Sequence, residues 1–331
     1  MAISSTGYQS PAVSREGLVP SVHDSVILIG AQETPLLNLC GTSPVEGITH
    51  SWIIDKMPTP TNTPQLELSS FVGDQKATKQ KNTNAVQITT TEVMVTKTMQ
   101  KAKTYGGNEL AHETQKQAKS HAIKLEYSMF GLGLNANAKL SVFQAPVVRT
   151  DAVAGQSAGL FYFAGKGASS FSSGLRGNVQ AFDSTKDWAG TGTALTWDIF
   201  NQILQPIWAA GEMPKDIFVG SALKSKINAF IKDYGLRYVN NGDKSFSPVV
   251  SKIETDFGTV NIHMHRFLTS QYGLGDVVIA GNFDYVKQGL LIPTEFTDVP
   301  TDKTAIAKRY YTECTLECRN ADALSIGVGL S

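Results

Sequence analysis

Two histidines, His263 and His265, have the spacing that first suggests chemistry in this sequence. They stand two positions apart in a predicted strand, so both side chains share one face, and imidazole is a common zinc ligand. The nearest carboxylates with a matching position are Glu254 and Asp256, across a predicted hairpin turn. This set falls short of zinc-ligand spacing. The pattern therefore favours an ordinary polar strand face, and we predict no metal site.

A phosphate-binding loop is the second chemistry that the sequence suggests, at Gly165-Lys166. Gly159 leaves five residues before Gly165, where the motif has four, and Gly167 stands where Ser or Thr is required. The nucleophile motif G-x-S-x-G does not occur, and no pair of carboxylates is placed for acid–base catalysis. The sequence therefore predicts no catalytic residue, no cofactor and no enzymatic activity.

The three cysteines, Cys40, Cys314 and Cys318, do not form a disulfide framework. Cys314 and Cys318 lie on one predicted strand, about 13 Å apart at ~3.3 Å per residue, which is too far for a disulfide between them. Both are predicted to be core cysteines. An odd and low cysteine count favours a reducing compartment.

The composition narrows the class of protein. Twenty-nine basic and 29 acidic residues give a formal net charge of zero over 331 residues, which argues against a globally basic nucleic-acid binder. Charged residues make up 18%, below the roughly 25% of an average soluble domain, and such depletion is typical of protein–protein contact surfaces. No apolar stretch is long enough to span a membrane, and the first residues lack the pattern of a secretory signal. The composition therefore favours a self-associating protein, of about two domains by length.

The first 48 residues predict an extended arm. Prolines recur at intervals that forbid long helices, and short apolar clusters lie at 26–29 and 36–39. A segment of this kind has no large core of its own. Its apolar clusters need a surface on the rest of the chain or on a neighbouring copy.

Two predicted strands, 48–57 and 85–99, enclose a long polar excursion that begins with three prolines. The excursion is far longer than a hairpin loop inside a compact domain, so we predict a projecting hairpin. Residues of 85–99 alternate and then change phase, which predicts a bulge or a change of face: Val86, Ile88 and Thr90, then Val93 and Val95.

The strongest helix signal covers residues 108–131. Asn108 is a suitable N-cap, Glu109 suits the first turn, and glycines at 131 and 133 end the pattern. A narrow apolar stripe follows the helical period along it: Ala111, Ala118, Ala122, Leu125 and Met129. We expect this helix to lie across a sheet with much of its surface in solvent.

The second half of the chain changes character. Residues 134–194 are rich in Gly, Ser, Ala and Thr and predict little regular structure. From residue 195 the pattern predicts two helices at 195–211 and 221–235, a hairpin at 249–267, and strands at 276–281, 285–293, 304–319 and 323–330. The C-terminal strands are predicted to pair with 85–99, so that both ends of the chain contribute to one sheet.

Charge is unevenly distributed along the N-terminal third. Residues 1–75 carry two basic and seven acidic residues, whereas residues 76–103 carry six basic and one acidic. Three interpretations stay open: a solvated basic face, a nucleic-acid contact without the usual interleaved aromatic residues, or an acidic arm of one subunit lying against the basic limb of the next. The candidate inter-subunit contacts are Lys76, Lys79, Lys81, Trp52, Asp55, Glu33 and Glu46.

The order of these pieces resembles the major capsid proteins of tailed phages, which have the Hong Kong 97-like fold that encapsulin shells share. The stretches that carry the resemblance are TPLLNLCG (34–41), HSWIIDKM (50–57), GGNELAHETQKQAKSHAIKLEYSMFG (106–131), GEMPKDIFVGSALKSKINAFI (211–231), FGTVNIHMHRFL (257–268) and YYTECTLECRNADALSIGVGL (310–330).

The resemblance implies an α+β fold with four parts. They are an N-terminal arm at 1–48, an extended E-loop at 49–85, a P-domain and an A-domain at 195–295. The P-domain would comprise 86–194, with a spine helix at about 108–131 and the Gly-rich connection, together with C-terminal strands at 296–331.

The function that the resemblance implies is that of a major capsid protein, which self-assembles through hexamers and pentamers into an icosahedral head shell around phage DNA. The implied partners are further copies of the chain, portal and scaffolding or decoration proteins, and weakly bound packaged DNA, with no membrane. The protein would be made in the host cytoplasm and reside in the virion. No protease segment or cross-linking pair is apparent, so neither proteolytic maturation nor covalent chemistry is predicted. The alternatives are an encapsulin-like cellular compartment, or an enzyme with an unrecognised site in 155–190.

Overall fold

The computed structural model describes most of the chain. The described residues are 34–55, 57, 62, 64, 66–68, 70, 79–103, 107–131, 144–165, 179–181, 193–234, 251–272 and 274–331, with the backbone alone at 179–181 and 230–234.

The described residues form six α-helices and twelve strands. The helices are α1 (Pro35–Leu39), α2 (Lys97–Lys101), α3 (Glu109–Phe130), α4 (Leu160–Ala164), α5 (Trp197–Ala209) and α6 (Ser221–Tyr234). The strands are β1 (Gly41–Pro44), β2 (Thr49–Ile54), β3 (Gln80–Ala85), β4 (Gln87–Thr96), β5 (Val179–Ala181), β6 (Asp216–Val219), β7 (Lys252–Thr255), β8 (Gly258–Met264), β9 (Val278–Gly281), β10 (Val286–Val299), β11 (Ala305–Cys318) and β12 (Leu324–Val328).

The strands form three sheets. A four-stranded sheet has the order β1-β10-β11-β4, a six-stranded sheet has the order β5-β12-β9-β6-β8-β7, and β2 pairs with β3 alone. The antiparallel pairing of β11 with β4, from Ala305 opposite Thr96 to Cys314 opposite Gln87, confirms the predicted pairing of the C-terminal strands with 85–99. The mixture of helices with largely antiparallel sheets is the α+β class that the sequence predicts.

Helix α3 confirms the predicted long helix almost residue for residue. The side chain of Asn108 accepts a hydrogen bond from the backbone N–H of Ala111, and Gly131 ends the helix in the left-handed conformation with φ of 75°. Its C-terminal half is buried and its N-terminal half is largely solvent-facing. The helix packs on β4, where the side chain of His121 lies between two threonine hydroxyls of the sheet, those of Thr91 and Thr312.

The six-stranded sheet is buried on both faces. Along β6, Ile217 and Val219 belong to one hydrophobic cluster and Phe218 belongs to the other. This is the period-2 alternation of a strand with a core on each side. Residues of α5 and α6 cover one face, while α1, α4 and the end of α3 contribute to the cluster on the other.

The phase change predicted within 85–99 lies elsewhere. From Thr89 to Val95 every second side chain of β4 is buried, so the strand keeps a single phase, and Ile88 and Thr90 face solvent rather than the core. The break comes at Val86, a fully buried residue between β3 and β4. The covering helix α3 decides which face is inside, and this is information that the local sequence lacks.

Part of the Gly-rich middle is ordered, which corrects the prediction of little regular structure there. The aromatic cluster at 161–163 forms α4, and Leu160, Phe161 and Ala164 are almost completely buried. Gly159 is required before this helix, because a Cβ atom there would lie about 2.1 Å from the Cα atom of Gly131. The close approach of two glycines therefore lets α4 pack against the end of α3.

Two strands belong to a different sheet from the one that the predicted domain ranges give them. β12 lies in the six-stranded sheet, between β5 and β9, although it falls in the range 296–331 predicted as P-domain. β10 begins at Val286, within the range predicted as A-domain, and pairs with β11 in the four-stranded sheet. The boundaries themselves stay predictions.

Candidate assembly surface

The hairpin of β2 and β3, together with the segment between them, is called the limb below. Its strands pair antiparallel from Thr49 opposite Ala85 to Ile54 opposite Gln80. The hairpin stands outside the two larger sheets, since β2 and β3 pair only with each other among the described strands. The limb therefore needs a separate attachment to the rest of the molecule, which is called the body.

Trp52 of β2 provides the first attachment. Its side chain is buried, its Nε1 donates a hydrogen bond to the backbone oxygen of Cys318 at 2.8 Å, and its ring lies 5.6 Å from that of Phe163. Trp52 is among the predicted inter-subunit contacts. The structure places its indole in the core of its own chain, where it holds the limb, and its part in a contact between subunits stays a prediction.

Asn84 of β3 provides the second attachment. Its side chain is fully buried, and its Nδ2 lies within hydrogen-bond distance of the Leu316 and Ala158 backbone oxygens and of the Ser157 hydroxyl. Its Oδ1 accepts hydrogen bonds from the backbone N–H groups of Ala85 and Ala158. One amide side chain thus joins the limb, β11 and the segment before α4.

A charged group completes the base of the limb. The Oε2 atom of Glu317 lies 3.2 Å from Nε2 of His50, and its Oε1 accepts a hydrogen bond from Nε of Arg319. Burial raises the pKa of Glu317, but the hydrogen bond from Arg319 and the nearby Ser43 and His50 side chains outweigh it and hold the pKa below its usual value. The carboxylate is therefore ionised at neutral pH. The base of the limb is a fixed structure.

The outer part of the limb exposes large apolar side chains. Ile53 is 69% exposed, Met57 93%, Leu66 85% and Leu68 105%. Fully burying one such side chain contributes roughly 1.5–3 kcal/mol. A segment that exposes several large apolar side chains is typical of a binding surface.

The predicted charged contacts divide between the limb and the rest of the chain. Lys79, Lys81 and Asp55 are exposed on the limb, where Ile54 lies opposite Gln80, so Asp55 and Lys79 stand at the same level of the hairpin. Glu46 is exposed just after β1. The remaining two predicted contacts, Lys76 and Glu33, lie outside the described residues. The limb is therefore of mixed charge at the outer end of its described hairpin.

A pocket of about 380 Å³ lies where the limb meets the body. Its walls include Ile54 and Lys81 of the limb, Tyr162 of α4 and Asp322 near the C-terminus. Because the limb forms one of its walls, the pocket is part of the candidate assembly surface.

The outer part of β10 forms an exposed edge of the four-stranded sheet. β1 pairs with β10 only from Lys287 to Leu290, so the rest of β10 has β11 as its only strand partner among the described residues. Phe296, 41% exposed, stacks on Tyr310 with 4.5 Å between ring centroids, and the ammonium of Lys308 lies over it at 5.1 Å. Phe296 thus packs against residues of its own sheet, whereas the large apolar side chains of the limb are more exposed.

The histidines that suggested zinc bind separate carboxylates. Nε2 of His263 lies 2.9 Å from Oδ1 of Asp216, and Nε2 of His265 lies 2.8 Å from Oε1 of Glu126. Burial raises the pKa of Asp216, but hydrogen bonds from His263 and Asn261 outweigh it and lower the pKa. Within the described residues, no three His, Cys, Asp or Glu side chains are grouped so as to hold a metal ion.

The cysteines are buried and free, as predicted for Cys314 and Cys318. Burial raises the pKa of Cys40, Cys314 and Cys318 to about 12 in each case. Thiols with such pKa values are protonated at neutral pH and react slowly. They fill the core rather than perform chemistry.

Two buried polar residues, Asn84 and Glu126, are not among the residues predicted from the sequence. Asn84 gives no signal, since an asparagine in a polar strand is ordinary. Glu126 carries a weak signal, because it follows Ala122 by four residues and adjoins Leu125 on the apolar stripe of α3. A carboxylate in that position predicts a buried polar contact.

Comparison with known proteins gives one match over nearly the whole sequence. The family model described as SU10 major capsid protein matches residues 3–331. No curated protein matches the sequence.

Solved structures give a similar result at low sequence identity. A structure from Microbacterium phage Oxtober96 is 14% identical, with a TM-score of 0.61, covering 97% of this chain and 99% of that one. The capsid of an empty GTA particle is 11% identical, with a TM-score of 0.63 and coverage of 98% and 99%. The holo-SrpI encapsulin complex from Synechococcus elongatus is 9% identical, with a TM-score of 0.55 and coverage of 98% and 96%. At these identities the likeness shows a shared fold.

Proposed function

Since this chain belongs to the SU10 major capsid protein family, we propose that its limb is the part with which one copy holds the next in the shell wall. The protein is a major capsid protein of the phage type with a Hong Kong 97-like fold, and copies of it self-assemble into an icosahedral shell. Its role is structural and its place is the virion. None of the helices among the described residues is long and apolar enough to cross a membrane.

The exposed apolar side chains of the limb carry this proposal. Leu66 and Leu68 are exposed, and they lie in sequence between two strands that Trp52 and Asn84 fix to the body. The fixed strands give the segment between them the same starting point in every copy, which lowers the conformational entropy lost on binding. Burial of that surface against a neighbour supplies the free energy of association.

Charged side chains would orient one copy relative to the next. In our proposal, Lys76, Lys79 and Lys81 of one copy face acidic groups of the next, such as Glu33 and Glu46. Exposed ion pairs contribute at most about 1 kcal/mol each, so they set register more than affinity. Asp55 stands beside Lys79 on the same hairpin and lowers the net positive charge there.

The wider proposals follow from the family. Copies would arrange as hexamers and pentamers around phage DNA, which they would contact weakly and without reading its sequence. Portal and scaffolding or decoration proteins would be further partners, and synthesis would take place in the host cytoplasm. The encapsulin alternative rests on a shared fold at 9% identity, whereas the family match favours the phage shell. The enzyme alternative loses support, because α4, within its proposed region 155–190, is a core helix.

Replacement of the two limb leucines tests the proposal. Leu66→Ser/Leu68→Ser should raise the protein concentration needed for particle formation at least tenfold, because two exposed groups lose most of the ~1.5–3 kcal/mol each that burial would provide. Particles are counted by negative-stain microscopy and analytical ultracentrifugation, and denaturant unfolding checks that the fold persists.

The matched control is Met213→Ser/Met264→Ser, at body methionines that are 65% and 56% exposed. This double variant should assemble within about twofold of the wild-type concentration. Equal assembly by both double variants would remove the limb from its proposed role.

A further inference from the structure

Glu126, in the C-terminal half of α3, is a fully buried carboxylate that joins three distant parts of the chain. Its Oε1 accepts a hydrogen bond from the backbone N–H of Leu36, its Oε2 accepts one from the N–H of Leu37, and both distances are 2.8 Å. Nε2 of His265, just after β8, lies 2.8 Å from Oε1. These four residues are called the Glu126 node.

The hydrogen bonds define the protonation of the histidine. Nδ1 of His265 accepts a hydrogen bond from the backbone N–H of Phe267 at 3.2 Å, so the ring proton is on Nε2 and points at Glu126. A neutral imidazole and two backbone amides therefore hold the carboxylate. Oε1 has two donors and Oε2 has one.

The short helix α1 depends on this carboxylate. It has five residues and no side-chain cap at Thr34. Isolated helices of this length are unstable in water. Glu126 supplies the acceptor that the first-turn amides need, from 90 residues away in the chain. Leu36, fully buried in the core, holds the same helix by packing.

We propose that Glu126 is a positioning residue for assembly, which fixes α1, within the predicted N-terminal arm, to the body. The same carboxylate ties the spine helix α3 to the residue after β8, so α1, the spine helix and the six-stranded sheet keep one mutual arrangement. The inference rests on the proposed function: a neighbour that has to meet the arm finds it starting from the same place in every copy.

The isosteric variant Glu126→Gln tests this role. Its amide replaces one acceptor oxygen by an N–H₂ donor, which must face a donor in the node. Because Oε2 has a single partner, the N–H of Leu37 should lose its acceptor. We expect amide hydrogen exchange at Leu37 to accelerate at least tenfold, and the purified chain to form aberrant particles or none by negative-stain microscopy. The control is Glu113→Gln, on the exposed part of the same helix, where the carboxylate pairs with Lys116. It should leave exchange at Leu37 and particle shape unchanged.

A second pair of variants covers the case in which Glu126→Gln does not fold. His265→Gln keeps a nitrogen donor at the Nε2 position, whereas His265→Leu removes it. The glutamine variant should assemble normally and the leucine variant should not. Exchange at Leu36 and Leu37 in the full-length wild-type chain should be as slow as in the core of α3.

Three results would overturn the inference: rapid exchange at these amides in the wild type, unchanged exchange at Leu37 in Glu126→Gln, or faster exchange with normal particles. Failure of the wild-type chain to form any particle would instead contradict the proposed function, and the exchange data would still decide whether Glu126 holds the arm.

Discussion

The limb and the Glu126 node differ in where their chemical groups find partners. In the node, a fully buried carboxylate has a donor for each oxygen within its own chain. On the limb, Ile53 and Leu68 are 69% and 105% exposed, and among the described residues nothing covers them. The node is complete in one subunit, whereas the limb leaves apolar side chains exposed, which in our proposal a neighbouring copy covers.

This difference separates stability from assembly. Substitutions at internally satisfied groups should lower the free energy of unfolding of the subunit. Substitutions on the limb should leave that free energy unchanged and weaken association. At the base of the limb, Asn84 and Trp52 are internally satisfied residues that also hold the exposed part in place.

The largest expected effect is at Asn84. Asn84→Leu keeps the side-chain volume but leaves the N–H of Ala158 and the backbone oxygen of Leu316 without their partner inside the core. Unfolding in denaturant should show a loss of about 3–5 kcal/mol. Asn82→Leu, two positions earlier and only partly buried, should cost less than about 1 kcal/mol. Similar losses for both variants would contradict the view that Asn84 fixes the limb to the body.

A smaller effect should appear at Asp276, in the body. Burial raises the pKa of this carboxyl to about 6, from 3.8, although the backbone N–H groups of Asp276 and Gly329 partly offset it. The folded state therefore binds more protons than the unfolded state between these pH values, and stability falls as pH rises from about 4 to about 6. Asp276→Asn should stabilise the subunit at pH 7 by about 1 kcal/mol, because solvent screens part of the shift at this partly exposed group.

The pH dependence provides the check on Asp276. The difference between variant and wild type should disappear below about pH 3, where Asp276 is protonated in both the folded and the unfolded state. Asp302→Asn, in an exposed turn, serves as the control and should change stability by less than ~0.5 kcal/mol at either pH. A gain that persisted at about pH 3 would show that charge is not the cause.

The smallest effect belongs to the lysines of the limb. Neutralising them in Lys76→Gln/Lys79→Gln/Lys81→Gln should raise the concentration needed for assembly about threefold at low salt, since exposed ion pairs are weak. At ~1 M salt, where the screening length is about 3 Å, the difference should vanish. Light scattering over a salt series measures it.

A body triple, Lys119→Gln/Lys226→Gln/Lys252→Gln, removes the same charge elsewhere and should assemble like the wild type at each salt concentration. An effect of the limb triple that does not depend on salt would point to packing rather than charge.

Elements with local signals were predictable from the sequence. Helix α3 has a capping asparagine, a helical apolar stripe and a terminal glycine, and it forms where these signals place it. The pairing of β11 with β4 followed from alternation at both ends of the chain.

Elements that depend on distant residues were not predictable. Helix α1 forms in a proline-containing segment because Glu126 lies against its first turn. α4 forms because two glycines allow close packing. The inward direction of Trp52 depends on an acceptor at Cys318, 266 residues away. The exposure of the limb was predictable in outline, because its length and prolines exclude a compact loop.

Strand β11 runs from the base of the limb to the exposed edge formed by the outer part of β10. Its C-terminal end carries the backbone oxygens that hold Asn84 and Trp52, and its N-terminal end pairs with β10 and with β4. Fourteen residues at ~3.4 Å each span roughly 48 Å. A neighbour that pulls on the limb therefore loads the C-terminal end of this strand. β11 is central in its sheet and is hydrogen-bonded to β10 and β4. The component of such a force along the strand therefore loads many backbone hydrogen bonds in shear at once, and they do not open one at a time. Tension between subunits would thus be shared along the length of the four-stranded sheet.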